Sequence, residues 1–102
     1  MTAHGTLEEE EVSALVAAYR TLAKAGLIAE GQRNSLNALA SAVYAQGWRY
    51  GLDFLGGSYR AEIFVTSENR ATTRIQKPGT TMEAALALAL AAAFALSEAP
   101  GE

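Results

Sequence analysis

The sequence predicts an α+β fold of order α-α-β-β-β-α: two N-terminal helices, a three-stranded antiparallel meander and one buried C-terminal helix, layered as a sandwich. Three observations carry that expectation. Apolar residues recur at helical spacing through the first half, the period changes to two at Trp48, and no side chain from Ala84 to Leu96 is polar. The 102 residues fill one domain, residues 1–102, with no room for a second. Residues 1–6 and 98–102 are expected to be frayed ends.

The first helix is expected from about Leu7 to Ala25. Thr6 and Glu9 have the spacing of a capping box, Val12, Leu15, Val16, Tyr19 and Leu22 form the apolar stripe, and Gly26 suits a left-handed C-terminus. Leu27 then stands where a hydrophobic contact often accompanies such a cap. Glu8 to Glu11 form an acidic block, read most simply as carboxylates near the positive end of a helix macrodipole. The second helix is capped by Asn34 or Ser35, carries Leu36, Leu39, Ala40, Val43 and Tyr44 on one stripe and ends at Gly47. Glu30 to Arg33 are either its first turn or a loop.

From Trp48 the apolar residues Trp48, Tyr50, Leu52 and Phe54 alternate with Arg49, Gly51 and Asp53, which reads as a half-buried strand. Gly56-Gly57 supplies the positive φ angles that a two-residue hairpin needs. Placing the turn there sets Phe54 against Tyr59, Leu52 against Ala61, Tyr50 against Ile63 and Trp48 against Val65, all on one face. On the other face Asp53 meets Arg60, Gly51 meets Glu62 and Arg49 meets Phe64. A slip of one residue would send every apolar side chain to the wrong face, so the pattern fixes the register. Ser67 to Arg70 read as a second turn and Ala71 to Gln76 as a third strand, ended by Lys77-Pro78-Gly79 because proline lacks the ladder donor.

Thr80 and Glu83 make another capping box, opening a helix that runs to about Ser97 ahead of Pro100 and Gly101. The apolar stretch within it is shorter than the roughly 18 residues of a membrane span, so no membrane contact is expected. Met82, Leu86, Leu90 and Phe94 form one ridge, while Leu88 and Leu96 point to roughly the opposite side. A helix apolar all round is normally covered on more than one side. One cover is the sheet. The other is either the first two helices or a second copy of the chain, which makes Leu88 and Leu96 candidate self-association residues in a homodimer.

Few chemistries find support. The chain has no cysteine, which removes disulfides, thiolate zinc sites and cysteine nucleophiles and suits a reducing compartment. The N-terminus has no basic patch followed by an apolar core, so the expected setting is cytoplasmic. His4 is the single histidine and stands away from any ligand set. No G-x-S-x-G, phosphate-binding loop, H-E-x-x-H or dinucleotide fingerprint occurs. No catalytic, cofactor-binding or metal-binding residue is therefore assigned, and no cofactor is expected. Asp53 and Glu62 read as ion-pair partners of nearby arginines.

Nucleic acid is the alternative partner. Arg49, Arg60 and Arg74 with Phe64 could share the polar sheet face, a combination that stacks bases and tracks phosphates. Against it stand Asp53, Glu62 and a net charge of −3. The plainer reading is a solvated, ion-paired face with Arg49 lying over Phe64.

Gly47-Trp48-Arg49-Tyr50, Phe54-Leu55-Gly56-Gly57, Tyr59-Arg60-Ala61-Glu62 and the alanine-leucine run Ala84 to Leu90 together resemble the bacteriophage α-β-α sandwich domain family, over residues 46–96. The resemblance implies a small phage or prophage protein, working in the host cytoplasm if phage-encoded, and brings no catalytic residues. The order of helix, three strands and helix is also similar to double-stranded RNA-binding domains. Those open their last helix on phosphate-gripping lysines, and this one opens on Thr80-Thr81-Met82-Glu83. The expected function is that of a non-enzymatic accessory protein that binds a protein partner, starting from a homodimer. The alternatives are a nucleic-acid-binding module and a small enzyme with an unrecognised site.

Overall fold

The computed structural model describes residues 3–29, 35–66 and 72–98. The expected turn at Ser67 to Arg70, Ala71 at the head of the third strand, Asn34 as a cap, the Glu30 to Arg33 segment and the Pro100-Gly101 stop lie outside the described residues. Helices α1 (Ala3–Lys24) and α2 (Leu36–Ala45) precede strands β1 (Arg49–Leu55), β2 (Ser58–Thr66) and β3 (Thr72–Gly79), and α3 (Met82–Glu98) closes the chain. The α+β order is the one the sequence predicts.

The sheet is a meander of order β1-β2-β3, antiparallel throughout. The hairpin register agrees pair for pair from Arg49↔Phe64 to Leu55↔Ser58. Gly56 and Gly57 have φ of 65° and 86°, the positive values a type I′ turn demands at both central positions. Trp48 is a correction: the ladder ends at Arg49↔Phe64 without a Trp48–Val65 pair, and the Trp48 N–H, which alternation turns away from β2, donates to the Val43 carbonyl of α2 at 3.2 Å. Its indole is nevertheless buried in the same core as Val65.

Both N-terminal helices stop as their glycines dictate. Gly26 and Gly47 have φ of 77° and 79°, and the residue after each reaches back to a helix carbonyl, Leu27 to Leu22 at 2.9 Å and Trp48 to Val43. These are Schellman caps, and in each the two ends of the long bond are side chains of the core. Ser35 caps α2, its Oγ accepting the Ala38 N–H at 3.2 Å.

Three starts and stops differ from expectation. α1 begins at Ala3, so Thr6 lies inside the helix rather than capping it, and no acidic residue occupies the first turn. No proline interrupts the residues upstream of Thr6, so the helix extends past its cap signal. Glu11 instead serves the start of another helix: its Oε2 accepts the Thr80 N–H at 2.9 Å and the Thr80 hydroxyl at 3.3 Å. α3 is capped one residue later than the Thr80–Glu83 spacing implies, by Thr81, whose Oγ1 accepts the Ala84 N–H at 3.0 Å. Strand β3 runs through Pro78 to Gly79. Alternation from the tight turn directs the backbone groups of Pro78 away from β2, to the open edge, where a missing donor removes no ladder bond.

α3 is the centre of the molecule. It packs on β2 and β3 beneath it and on α1 and α2 at its flanks, so the first two helices cover the side the sheet leaves open. Leu86 and Leu90, the middle of the predicted ridge, are fully buried together with Leu22, Leu39, Val43 and Ile63. Burying each leucine contributes about 2 kcal/mol by area. Gly79 sets how closely α3 meets the sheet: a Cβ on it would stand 2.5 Å from the Ala85 backbone nitrogen and 2.8 Å from its Cα.

Gly79→Ala should therefore lower stability by about 2 kcal/mol, the scale of core overpacking, because the obstruction is backbone and cannot swing aside. Thermal unfolding checks it, against Gly51→Ala, where the new Cβ meets nothing within 4 Å. Glu11→Ala should cost about 1 kcal/mol, the scale of a lost helix cap, seen in the same assay as a smaller drop in midpoint.

Candidate functional site

The sheet face turned away from α3 gathers the predicted arginine set, with Phe64 of β2 directly between Arg49 of β1 and Arg74 of β3. Ion pairing divides them. Arg60 Nη2 lies 3.3 Å from Asp53 Oδ2, and Arg74 Nε lies 3.2 Å from Glu62 Oε1. Glu62 thus finds its arginine diagonally on β3, since the residue directly across is Gln76. Among the described residues Arg49 has no ion-pair partner, and the Arg60 Nε is buried with no hydrogen-bond partner.

The expected stacking of Arg49 on Phe64 is a correction. The ring contacts among the described residues are Tyr44–Tyr50, with centroids 5.7 Å apart, and Phe54–Tyr59 at 4.8 Å. Arg49 is exposed at the first position of β1, where its guanidinium keeps its hydration, and the small gain of an exposed cation–π contact does not fix it over the ring.

Leu88 is half-buried, and Leu96 is 46% exposed two turns further along α3. Leu88 belongs to a groove of about 690 Å³ that the linear sequence does not announce. α3 forms its floor with Leu88, Ala91 and Ala92; α1 lines one side with Ala14, Ala17, Ala18 and Thr21; the strand ends line the other with Ser58, Lys77, Pro78 and Gly79. The groove exists because alanines on both helices leave room where larger side chains would close the gap. Glu10 and Glu11 stand on the α1 side and Lys77 on the strand side, with Glu11 tied to Thr80. Its signal in the sequence was the alanine content of two helices, but only their packing shows that the alanines meet.

Among the described residues no three of histidine, aspartate and glutamate stand together as a metal-binding group, and no helix is long and apolar enough to cross a membrane. Comparison with protein-family models, with curated proteins and with solved structures gave no match.

The paired sheet face limits what it can do with nucleic acid. If a single-stranded oligonucleotide is retained at low salt, three arginine contacts allow log K to fall against log salt with a slope of at most about 2 in magnitude. Fluorescence anisotropy over a salt series measures it. A steeper slope, or binding that survives Arg49→Glu with Arg74→Glu, places nucleic acid elsewhere on the molecule.

Proposed function

We propose that this chain is a non-enzymatic accessory protein of phage or prophage type that acts in the cytoplasm by holding a partner protein, with self-association as its starting state. The groove between α1, α3 and the strand ends is the observation that carries the binding reading. Its floor and helical wall are apolar and small, and its charges sit at the sides. Such a surface suits an apolar segment, most simply an amphipathic helix seated through its apolar face. Charge complementarity defines the segment further: a basic side chain toward Glu10 and an acidic one toward Lys77. Neither of these two has an ion-pair partner among the described residues. The phage part of the reading rests on the resemblance of residues 46–96 alone, and the cytoplasmic part on the cysteine-free composition.

Nucleic-acid binding has less behind it, since two of the three candidate arginines are matched by acids of the same face.

Ala14 and Ala17 are exposed and line the groove, so Ala14→Trp with Ala17→Trp fills it without disturbing the core. Affinity capture from host extract, with wild type, this variant and Arg74→Ala side by side, tests the reading. A protein held by wild type and Arg74→Ala but lost from the filled groove is the expected result. A partner indifferent to the filled groove overturns it.

A further inference from the structure

The two edges of the sheet are built differently. β3 is a guarded edge: Arg74 and Pro78 both occupy positions whose backbone groups face outward, and a proline there offers no donor to an incoming strand. β1 has no such guard. Its sequence, Arg49-Tyr50-Gly51-Leu52-Asp53-Phe54-Leu55, contains neither proline nor lysine. Phe54 and Leu55 are each 60% exposed at its end.

The hairpin defines which groups that edge presents. In a two-residue hairpin the residues flanking the turn, here Leu55 and Ser58, exchange hydrogen bonds, and the alternation that follows turns Asp53, Gly51 and Arg49 toward β2. The N–H and C=O groups of Tyr50, Leu52 and Phe54 therefore point outward. Among the described residues no loop or turn backbone bonds to them.

We infer that β1 is a self-pairing edge, joining antiparallel to β1 of a second copy about a two-fold axis at Gly51 to form one continuous six-stranded sheet. Charge selects this register. With Gly51 opposite its own symmetry mate, Arg49 of each copy stands opposite Asp53 of the other, so the unpaired guanidinium gains a carboxylate at both ends of the interface. Tyr50 and Leu52 of opposite copies then become hydrogen-bonded pairs, giving four backbone bonds across the axis. A register centred on Leu52 would set Arg49 against Leu55 and Asp53 against glycine, with no charge matched. An axis normal to the sheet keeps both helical layers on one side. It also brings Tyr44, exposed on α2 beside Tyr50, toward the second copy. The pairing deepens the self-association part of the proposed function and rests on it, while the groove lies at the opposite edge with β3, so the partner-capture experiment fails or succeeds apart from this one.

The chain has no cysteine, so one introduced thiol reports the pairing cleanly. At a two-fold-centred, non-hydrogen-bonded position the Cα atoms lie about 4.5 Å apart, within the range a disulfide spans. Gly51 tolerates the new side chain, with nothing within 4 Å of its Cβ direction and no positive φ. Gly51→Cys should form a covalent dimer under mild oxidation much faster than Ser13→Cys, an exposed control on α1. Adding Arg49→Glu should slow that trapping roughly tenfold, the scale of two cross-strand pairs turned from attraction to repulsion. Wild type should scatter light as twice 10.7 kDa at high concentration and dissociate on dilution. Trapping no faster than the Ser13 control, trapping indifferent to Arg49→Glu, or a wild type that stays at monomer mass would each overturn the inference.

Discussion

Between Ala84 and Leu96 the last helix offers no polar side chain, and every other element is arranged around that fact. An amphipathic helix can lie on a sheet and leave one face wet; this one needs cover around most of its circumference. The sheet takes one side, α1 and α2 take the flanks, and the fully buried residues Ala85, Leu86, Ala87, Ala89, Leu90 and Ala93 mark how complete the wrapping is. Alanine is what makes it feasible. It lets four elements approach a single helix closely, and Gly79 lets the strand leading into α3 pass against its first turn. The same small side chains leave the groove beside Leu88, so the packing that makes the core and the cavity that makes the candidate site have one origin.

The way α1 joins this arrangement shows a division of labour between apolar and polar contacts. Apolar packing brings α1 onto α3 and anchors it through Tyr19 and Leu22 in the core. The Glu11 carboxylate, accepting from both the N–H and the hydroxyl of Thr80, adds a polar tie at the end of α3 where a negative charge also suits the helix dipole. Glu11 meets Thr80 at the head of α3 although it is the ninth residue of α1, so its carboxylate serves the N-terminus of α3 and not that of its own helix.

What the sequence made legible follows from how local each rule is. The hairpin register was readable because period two, a Gly-Gly turn and opposite charges at Asp53 and Arg60 all had to agree, and a shift of one residue would have broken every pair. The glycine stops at Gly26 and Gly47 were readable because positive φ excludes most alternatives. The Thr80 cap and the Pro78 strand end differ from the sequence expectation for a shared reason. Adjacent threonines satisfy the same cap rule one residue apart, and a proline ends a central strand but not an outward position on an edge, so tertiary position decided both. The acidic block suits its own helix by local rules, yet Glu11 serves the start of α3. For the candidate sites, the arginine face was legible as a set but not in its pairing, since Arg74 reaches Glu62 along a diagonal. The groove was not legible at all, because it is a property of two helices meeting and not of either alone.

The asymmetry between the sheet edges bears on how such a small domain stays well behaved. A three-stranded sheet has two open edges for every one strand it covers, so edge control matters more here than in a larger sheet. On β3 the outward-facing proline and the Arg74 side chain oppose an added strand, and the groove beside it presents side chains rather than backbone. β1 keeps its outward donors and acceptors at Tyr50, Leu52 and Phe54. Guarding one edge while leaving the other open prevents head-to-tail polymerisation, because growth needs two sticky edges and a two-fold pairing consumes the single one available. A two-fold pairing of β1 would therefore end at two copies and leave the opposite edge and its groove exposed.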